Sequence, residues 1–308
     1  MRKSIFCKTI VVLCLLTVLP TWSLMAQEDY NAIWQMAREL PNDSQQINLL
    51  LDKTWELSRK NPILALEILG GMKRHFYSGD TRFNQDVWQY YQGIIHKNLG
   101  NFDTSAFYLR AYRDHHAALD HHPHVAAVQM ALANLYSDQG KWAESMDAVT
   151  QALTAFQELS DTNGIMKAQS KLGFLLSNLE RYTDAIDYHQ RSLQMAQQQQ
   201  DTIEAAIAYS NIGLAFQKSG NLDSAHWYFN RSLNLDLLLG DEWGLVYDYT
   251  NLANLQSQKK EFDAALQHIV KARELASKLQ NSLLPFTKVL YGDIMIQMGR
   301  TGAVSYTH

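Results

Sequence analysis

The chain has 308 residues, 46% of them hydrophobic and 19% charged, with a net charge of −4 at neutral pH. That length can bury a sizeable core, and the acidic balance argues against nucleic acid or an anionic membrane as partner, since both demand a basic face. The only cysteines are Cys7 and Cys14, so everything after them has no disulfide, no thiolate nucleophile and no Cys-based metal site.

Residues 1–26 read as a secretory signal peptide. Arg2, Lys3 and Lys8 supply the positive start, and Ile10–Leu19 is an apolar run too short for an ordinary spanning helix. Pro20 ends that run, and Ala26 precedes the expected cleavage point. Leu24 at the −3 position keeps an uncleaved anchor open as the alternative. Without the three basic residues, 24 basic side chains face 31 acidic ones, a net charge near −7. The expected location is the periplasmic or extracytoplasmic side of a bacterial membrane, where a chain without disulfides is held by its core alone.

Residues 27–85 are expected to hold N-terminal helices and a degenerate first repeat. Tyr30–Leu40 is amphipathic. Gln46–Ser78 reads as a hairpin with Ala65 at its small position and Asn61-Pro62 at its turn, where a proline without an N–H opens the second helix. Gly70-Gly71 reads as a turn signal. Pro41, Pro123 and Pro285 also fall at or before predicted helix starts.

From residue 86 the chain is periodic. Gly93, Ala133, Gly173, Gly213, Ala253 and Gly292 recur at steps of 40, 40, 40, 40 and 39 residues. Seven residues after each comes a turn position: Gly100, Gly140, Glu180, Gly220, Lys260 and Gly299. Twelve after come Ser105, Ser145, Ala185, Ala225 and Ala265, also small. Asp80, Asp120, Asp161, Asp201, Asp241 and Asn281 mark the turn between one hairpin and the next and suit helix capping. A mid-helix glycine costs roughly 0.5–1 kcal/mol relative to alanine. The expectation is that small residues at matched depths let paired helices approach to the short end of the usual 8–10 Å range. The aromatic residues Trp227, Tyr228, Phe229, Trp243, Tyr247 and Tyr249 recur at helical spacing and are expected mostly in the inter-helix core.

This pattern resembles the tetratricopeptide repeat family, with Gly or Ala midway along helix A, Gly at the turn and Ala in helix B. The resemblance implies an all-α fold, a right-handed α-α superhelix of helix hairpins. The family repeat is usually 34 residues, so the 40-residue period here implies longer helices or longer connections. Five repeats fill 86–281. Residues 282–308 hold a helix A and its turn only, and are expected to be an incomplete sixth repeat, a sign of truncation.

In the family, helix A lines the concave face. The stripe lying six and three residues before the small position, and one and four after it, gives Val87, Tyr90, Ile94 and Lys97, then Ala127, Met130, Asn134 and Ser137. The following repeats give Lys167, Ser170, Phe174 and Ser177, then Ile207, Ser210, Leu214 and Gln217, then Tyr247, Thr250, Asn254 and Ser257. This mixture of amides, hydroxyls and aromatics suits a peptide backbone, whose polar groups need partners. Lys97, Asn134 and Lys167 loosely echo the family's carboxylate clamp.

Five of the eleven histidines, His115, His116, His121, His122 and His124, crowd one junction. Histidine tracts can bind Zn, Ni or Cu, but this spacing matches no zinc signature, and the plainer expectation is a solvated helix end with imidazoles near the C-terminal dipole. Enzyme and cofactor motifs are absent. The reading is therefore a non-catalytic scaffold for protein or peptide partners, without cofactor. It resembles the input region of bacterial repeat-containing sensors of the histidine kinase or helix-turn-helix type, in which ligand occupancy changes curvature and biases a downstream segment. The alternatives are a free-standing periplasmic assembly scaffold and a solute- or metal-binding module.

Overall fold

A computed structural model describes residues 28–76, 85–118, 122–279 and 283–299. Among these residues there are helices and turns but no strand, which makes the protein an all-α solenoid of helix hairpins. The expected signal peptide, Asp80, Asp120, His121, Asn281 and the C-terminal end after Gly299 lie outside the described residues. The fold divides into two compact units, Met1–Gly140 and Lys141–His308.

The first unit opens with α1 (28–38), then α2 (Asp43–Lys60), α3 (Pro62–Phe76), α4 (Gln85–Asn98), α5 (Phe102–Ala118) and α6 (His122–Asp138). Its core gathers Trp34, Ile47, Leu50, Leu64, Ile68, Met72 and Ile95. Asn61 ends α2 and caps α3, its side chain accepting from the Leu64 N–H at 3.2 Å. Gly70 and Gly71 do not turn the chain. Both lie inside α3, and a Cβ on Gly71 would fall 2.7 Å from the Tyr30 hydroxyl and 2.8 Å from the Trp34 ring. The glycine is there to admit two aromatic rings from α1.

The second unit runs α7 (Trp142–Glu158), α8 (Thr162–Asn178), α9 (Tyr182–Gln198), α10 (Thr202–Lys218), α11 (Leu222–Leu239), α12 (Glu242–Gln258), α13 (Phe262–Lys278) and α14 (Leu284–Gln297). The repeat length is explained here. Helices of 17 residues such as α8 and α9 alternate with three-residue turns, so two helices and two turns fill the period. The excess over the family length is helix, not loop.

The turns from α7 to α13 are built alike. The third residue's N–H reaches back to a carbonyl five positions earlier, as in Arg181 to Leu176 at 2.9 Å and Asn221 to Phe216 at 2.9 Å. The middle residue is left-handed, as in a Schellman-type helix end. Gly220 takes φ +87°, and the non-glycine residues Glu180 and Lys260 take +60° and +62°. At the turns leading into α8, α10 and α12, Asp161, Asp201 and Asp241 cap as expected, accepting from Gly164, Glu204 and Trp243 N–H groups at 2.9–3.0 Å.

The hairpins close differently from the small-on-small expectation. A Cβ on Gly93 would sit 2.6 Å from Leu109, on Gly173 2.5 Å from His189, and on Gly213 2.6 Å from Phe229. In each case the intruder comes sixteen residues later, from helix B. The small residues at twelve, among them Ser105, Ala185, Ala225 and Ala265, are fully buried, and Ser105 donates to the Gly93 carbonyl at 2.7 Å. The glycine is thus a socket for one large side chain. Where the A helix carries Ala253 instead, the residue sixteen on is the slimmer Ile269, in the same core cluster.

Among the described residues His189 is the one polar plug. It is 2% exposed, and burial drives its imidazole down to about 4. Its neutral form is favoured by folding, so this contribution is present above the unfolded value near 6.5 and lost as pH falls toward 4.

Three outcomes are expected. Gly213→Ala gains helix propensity yet is expected to lose about 1–3 kcal/mol net through overpacking against Phe229. Phe229→Ile, which copies the Ala253–Ile269 combination, is expected to make the double variant more stable than the sum of the singles in a urea-denaturation cycle. His189→Phe, which copies the Gly213–Phe229 pair, is expected to flatten the loss of the denaturation midpoint between pH 6.5 and pH 4.

Candidate functional site

In the second unit α8 touches α10, α10 touches α12 and α12 touches α14, whereas α9, α11 and α13 make no contact with one another. The A helices therefore form the tighter, inner layer, and their outward stripe is a shared inner face. The same holds in the first unit for α2, α4 and α6.

The predicted stripe divides between exposed and consumed residues. In the first unit it is largely spent. Ile94 and Ser137 are 8% exposed, and Tyr90 packs at 5.4 Å on Tyr112, burial raising its hydroxyl above the ordinary range. Met130 and Asn134 are half-buried. Lys97 donates to Asp138 at 3.0 Å.

In the second unit the polar members stitch the helices together. Asn211 donates to Ser170 at 3.2 Å and Asn251 to Ser210 at 3.1 Å. Ser257 donates to Gln297 at 3.5 Å. Gln217 is buried and Thr250 turns back on the Val246 carbonyl at 2.6 Å. Leu214 and Asn254 are half-buried. These residues hold the face rather than present it. Lys167 is exposed and lowers the carboxyl of Glu204, which burial and then Asp201 raise.

What the inner face does present is apolar. Phe174 and Tyr247 from the predicted stripe are both 46% exposed, and Ile207 is 45% exposed. Two further sets were not anticipated. Ten residues before the socket, one helical turn beyond the family stripe, Ile203 and Trp243 are 54% and 49% exposed. On α14, Phe286 and Val289 continue the rows six and three before Gly292 and are 49% and 61% exposed. Of the six rings expected mostly in the core, Phe229 and Tyr249 are buried, Tyr228 is half-buried, and Trp227, Trp243 and Tyr247, the last also on the predicted stripe, are exposed. The signal was available in the sequence, because Ile203, Ile207, Trp243 and Tyr247 keep the spacing of the stripe, but the extra turn of helix was hidden by the 34-residue template.

Behind this surface lies a buried acid pair. Asp236 on α11 and Asp248 on α12 are 5% and 1% exposed. A Cβ on Gly244 would lie within 2.1 Å of an Asp236 oxygen, so the glycine makes room for the carboxyl. Burial, then the neighbouring carboxylates, pushes Asp248 up to about 8 although the nearby Ser232 hydroxyl acts the other way, and Asp236 is raised with it, by burial first. Corresponding positions one repeat earlier are Ala196 and Ala208, both buried.

The described part of the histidine junction is a cluster of rings. His116 stacks on His124 at 4.4 Å, and Tyr112 and His124 share a hydrogen bond of 2.5 Å. His115 and His116 lie 3.5 and 3.7 Å from Asp86. His124 belongs to α6, not to a loop, and α6 starts at His122. Among the described residues no group of three or more His, Cys, Asp or Glu side chains could hold a metal ion, and no helix is long and apolar enough to cross a membrane.

Residues 164–237 match the tetratricopeptide repeat family model. No curated protein matches the sequence at a significant level. Among solved structures, NprR in complex with its cognate peptide NprX is similar at 17% identity and a TM-score of 0.63, over 99% of this chain and 90% of that one. A Rap protein complexed with Competence and Sporulation Factor is similar at 12% identity and a TM-score of 0.65, over 94% of each chain. BtubC from P. vanneervenii is similar at 18% identity and a TM-score of 0.54, over 68% of this chain and 86% of that one. At these identities the likeness is one of fold.

The acid pair gives a pH dependence of definite sign. A carboxyl held above its unfolded value near 3.8 favours the folded state below that value, and the contribution is lost as pH rises through about 8. Asp248→Asn is expected to raise the thermal midpoint more at pH 8.5 than at pH 5, flattening the profile measured by circular dichroism.

Proposed function

We propose that this chain, which carries tetratricopeptide repeats on a solenoid of helix hairpins, is a non-catalytic receptor for a peptide segment bound on the inner face of α10, α12 and α14. The observation that carries the reading is the stripe of Ile203, Ile207, Trp243, Tyr247, Phe286 and Val289, all at least 45% exposed on adjacent helices. Isolated exposed apolar residues are ordinary, but a contiguous set on an inner face marks an interaction surface. Beneath and beside it, the Asn–Ser pairs fix the spacing of the helices, so the anchors are held before a ligand arrives, which lowers the ordering cost of binding. The two complexes among the similar folds support a peptide as the occupant, because NprR holds its cognate peptide NprX and the Rap protein holds Competence and Sporulation Factor on a similar architecture.

The wider setting follows from the sequence of residues 1–26. We take the chain to be exported, with the peptide as an extracytoplasmic cue and the repeat array as the input region of a signal-transduction protein. A free-standing scaffold uses the same face. A phosphatase fused behind residue 299 and active only on the outer side of the membrane is the outcome expected for export.

The binding claim is tested by panning a random peptide library on the full chain and measuring the recovered peptides by fluorescence anisotropy. Ile207→Ser with Tyr247→Ser is expected to weaken them at least tenfold while the thermal midpoint changes little, since both side chains are exposed. Recovered peptides that bind the double variant as tightly as the parent would sink the assignment of this face.

A further inference from the structure

The first unit carries a second concave feature, remote in sequence from the repeats that form the inner face. Between α1 and α3 lies a cleft of about 470 Å³ lined by Tyr30, Trp34, Arg38, Gly71, Arg74 and His75, with Asn31 and Gln35 at its edge. A second cleft of about 500 Å³ adjoins it, sharing Tyr30 and Arg74 and adding Ile63, Leu66 and Glu67. Volumes of this size accommodate small molecules.

The chemistry of the two halves differs. The first half has three side chains that are cationic or can be, Arg38, Arg74 and His75, and no carboxylate in its lining. Among the described residues neither Arg38 nor Arg74 makes an ion pair. Their neighbour Lys73 is engaged elsewhere, its ammonium 3.6 Å over the Trp88 ring. Arg74 and His75 sit in the last turn of α3, where the helix end supplies about half a negative charge. That accounts for their tolerance but leaves positive charge in surplus. The floor is aromatic: Tyr30 and Trp34 lie 6.2 Å apart, and Trp34 stacks on Phe76 at 6.1 Å. Trp34 is 7% exposed, and its Nε1 is buried without a hydrogen-bond partner, a donor that folding has stripped of water. The other half is apolar apart from Glu67, with Ile63 63% exposed.

We propose that this cleft binds a monocarboxylate bearing an aromatic or aliphatic group. The carboxylate is held by the exposed Arg38 and Arg74 guanidiniums, over the aromatic floor, and the apolar part lies along Tyr30 toward Ile63 and Leu66. Guanidinium groups suit carboxylates because their paired N–H groups match the two oxygens. A single charge is favoured over a phosphate because Glu67 faces the same space, and every added negative charge on the ligand is repelled by it. Gly71 is integral to the site. Any side chain there would displace both Tyr30 and Trp34, so the helix accepts a glycine to keep the aromatic floor against its backbone.

Two sources supply this chemistry, a free small acid and the C-terminus of a peptide. Isothermal titration calorimetry of the full chain separates them, with phenylacetate, N-acetyl-Leu-Phe carrying a free carboxylate, its C-terminal amide, and inorganic phosphate as probes. The expected result is binding of one or both carboxylates at millimolar or tighter affinity, with the amide and phosphate at least tenfold weaker. Arg38→Ala with Arg74→Ala, both exposed and removable without loss of fold, is expected to weaken the carboxylate at least tenfold. Ile63→Ser is expected to weaken it about threefold. The dipeptide binding and phenylacetate failing assigns the site to peptide termini; the reverse assigns it to free acids. Failure of both carboxylates at 10 mM, equal binding of the amide, or affinity unchanged in the double arginine variant overturns the proposal.

Discussion

One contact repeats through the protein and sets its geometry: a large side chain on helix B seated in the notch left by a glycine on helix A. Leu109 over Gly93, His189 over Gly173 and Phe229 over Gly213 are the same arrangement in different chemistry. The notch works because the plug needs the volume of the missing Cβ. The plug and the notch are therefore coupled, and a change in one is felt at the other sixteen residues away. Stability in such an array is a sum over hairpins and their neighbours, so each pair acts locally. That is why a histidine can stand in one socket, at the cost of acid sensitivity, without disturbing the sockets of the next repeat.

The period, the turns and the caps were legible because they are backbone events with strict residue demands. A left-handed middle residue favours glycine, and the sequence shows Gly100, Gly140 and Gly220 where the turns fall. The same demand is met by Glu180 and Lys260 at a strain the period alone revealed. Asp161, Asp201 and Asp241 were equally legible, since a short acceptor before a helix has few other uses. The plugs were not legible, because the pairing at sixteen depends on how the two helices are rotated about their axes, and twelve was an equally good guess from spacing. Gly70-Gly71 misled for a related reason. A glycine pair signals a turn only when nothing presses on it, and here two rings from α1 do.

The inner face was legible in position and not in use. The stripe fell on the right helices, but hydroxyl and amide residues at Ser170, Ser210, Asn211 and Asn251 turned out to bind one another across neighbouring A helices. A sequence cannot say whether an amide faces a ligand or the next repeat. The exposed aromatic and aliphatic residues carried the opposite ambiguity, and their helical spacing suggested core. Helices of 17 residues resolve it. The additional turn at the start of each A helix has no B-helix partner demanded by the family pattern, so Ile203 and Trp243 extend the surface instead of the core.

The Asp236–Asp248 pair puts carboxyls where the repeat elsewhere buries apolar side chains, such as Phe156 over Gly164. Where the preceding junction has Ala196 and Ala208, this one buries two carboxyls and gives up a side chain at Gly244 to fit them. A buried carboxyl without a cation is tolerated only by keeping its proton, and two together hold a proton into the neutral range at the expense of stability there. Gly244 is bonded to Trp243 and Asp248 to Tyr247, so the expense falls on the backbone that carries two of the exposed inner-face rings. Strain in proteins concentrates where a surface has to remain adaptable, and the junction of α11 and α12 joins a weakened interior to the most aromatic part of the inner face. α11 ends there in three exposed leucines, Leu237, Leu238 and Leu239, four residues before Trp243 in the case of the last. The same few residues that depart from the repeat in the core therefore depart from it on the surface, and one local exception accounts for both.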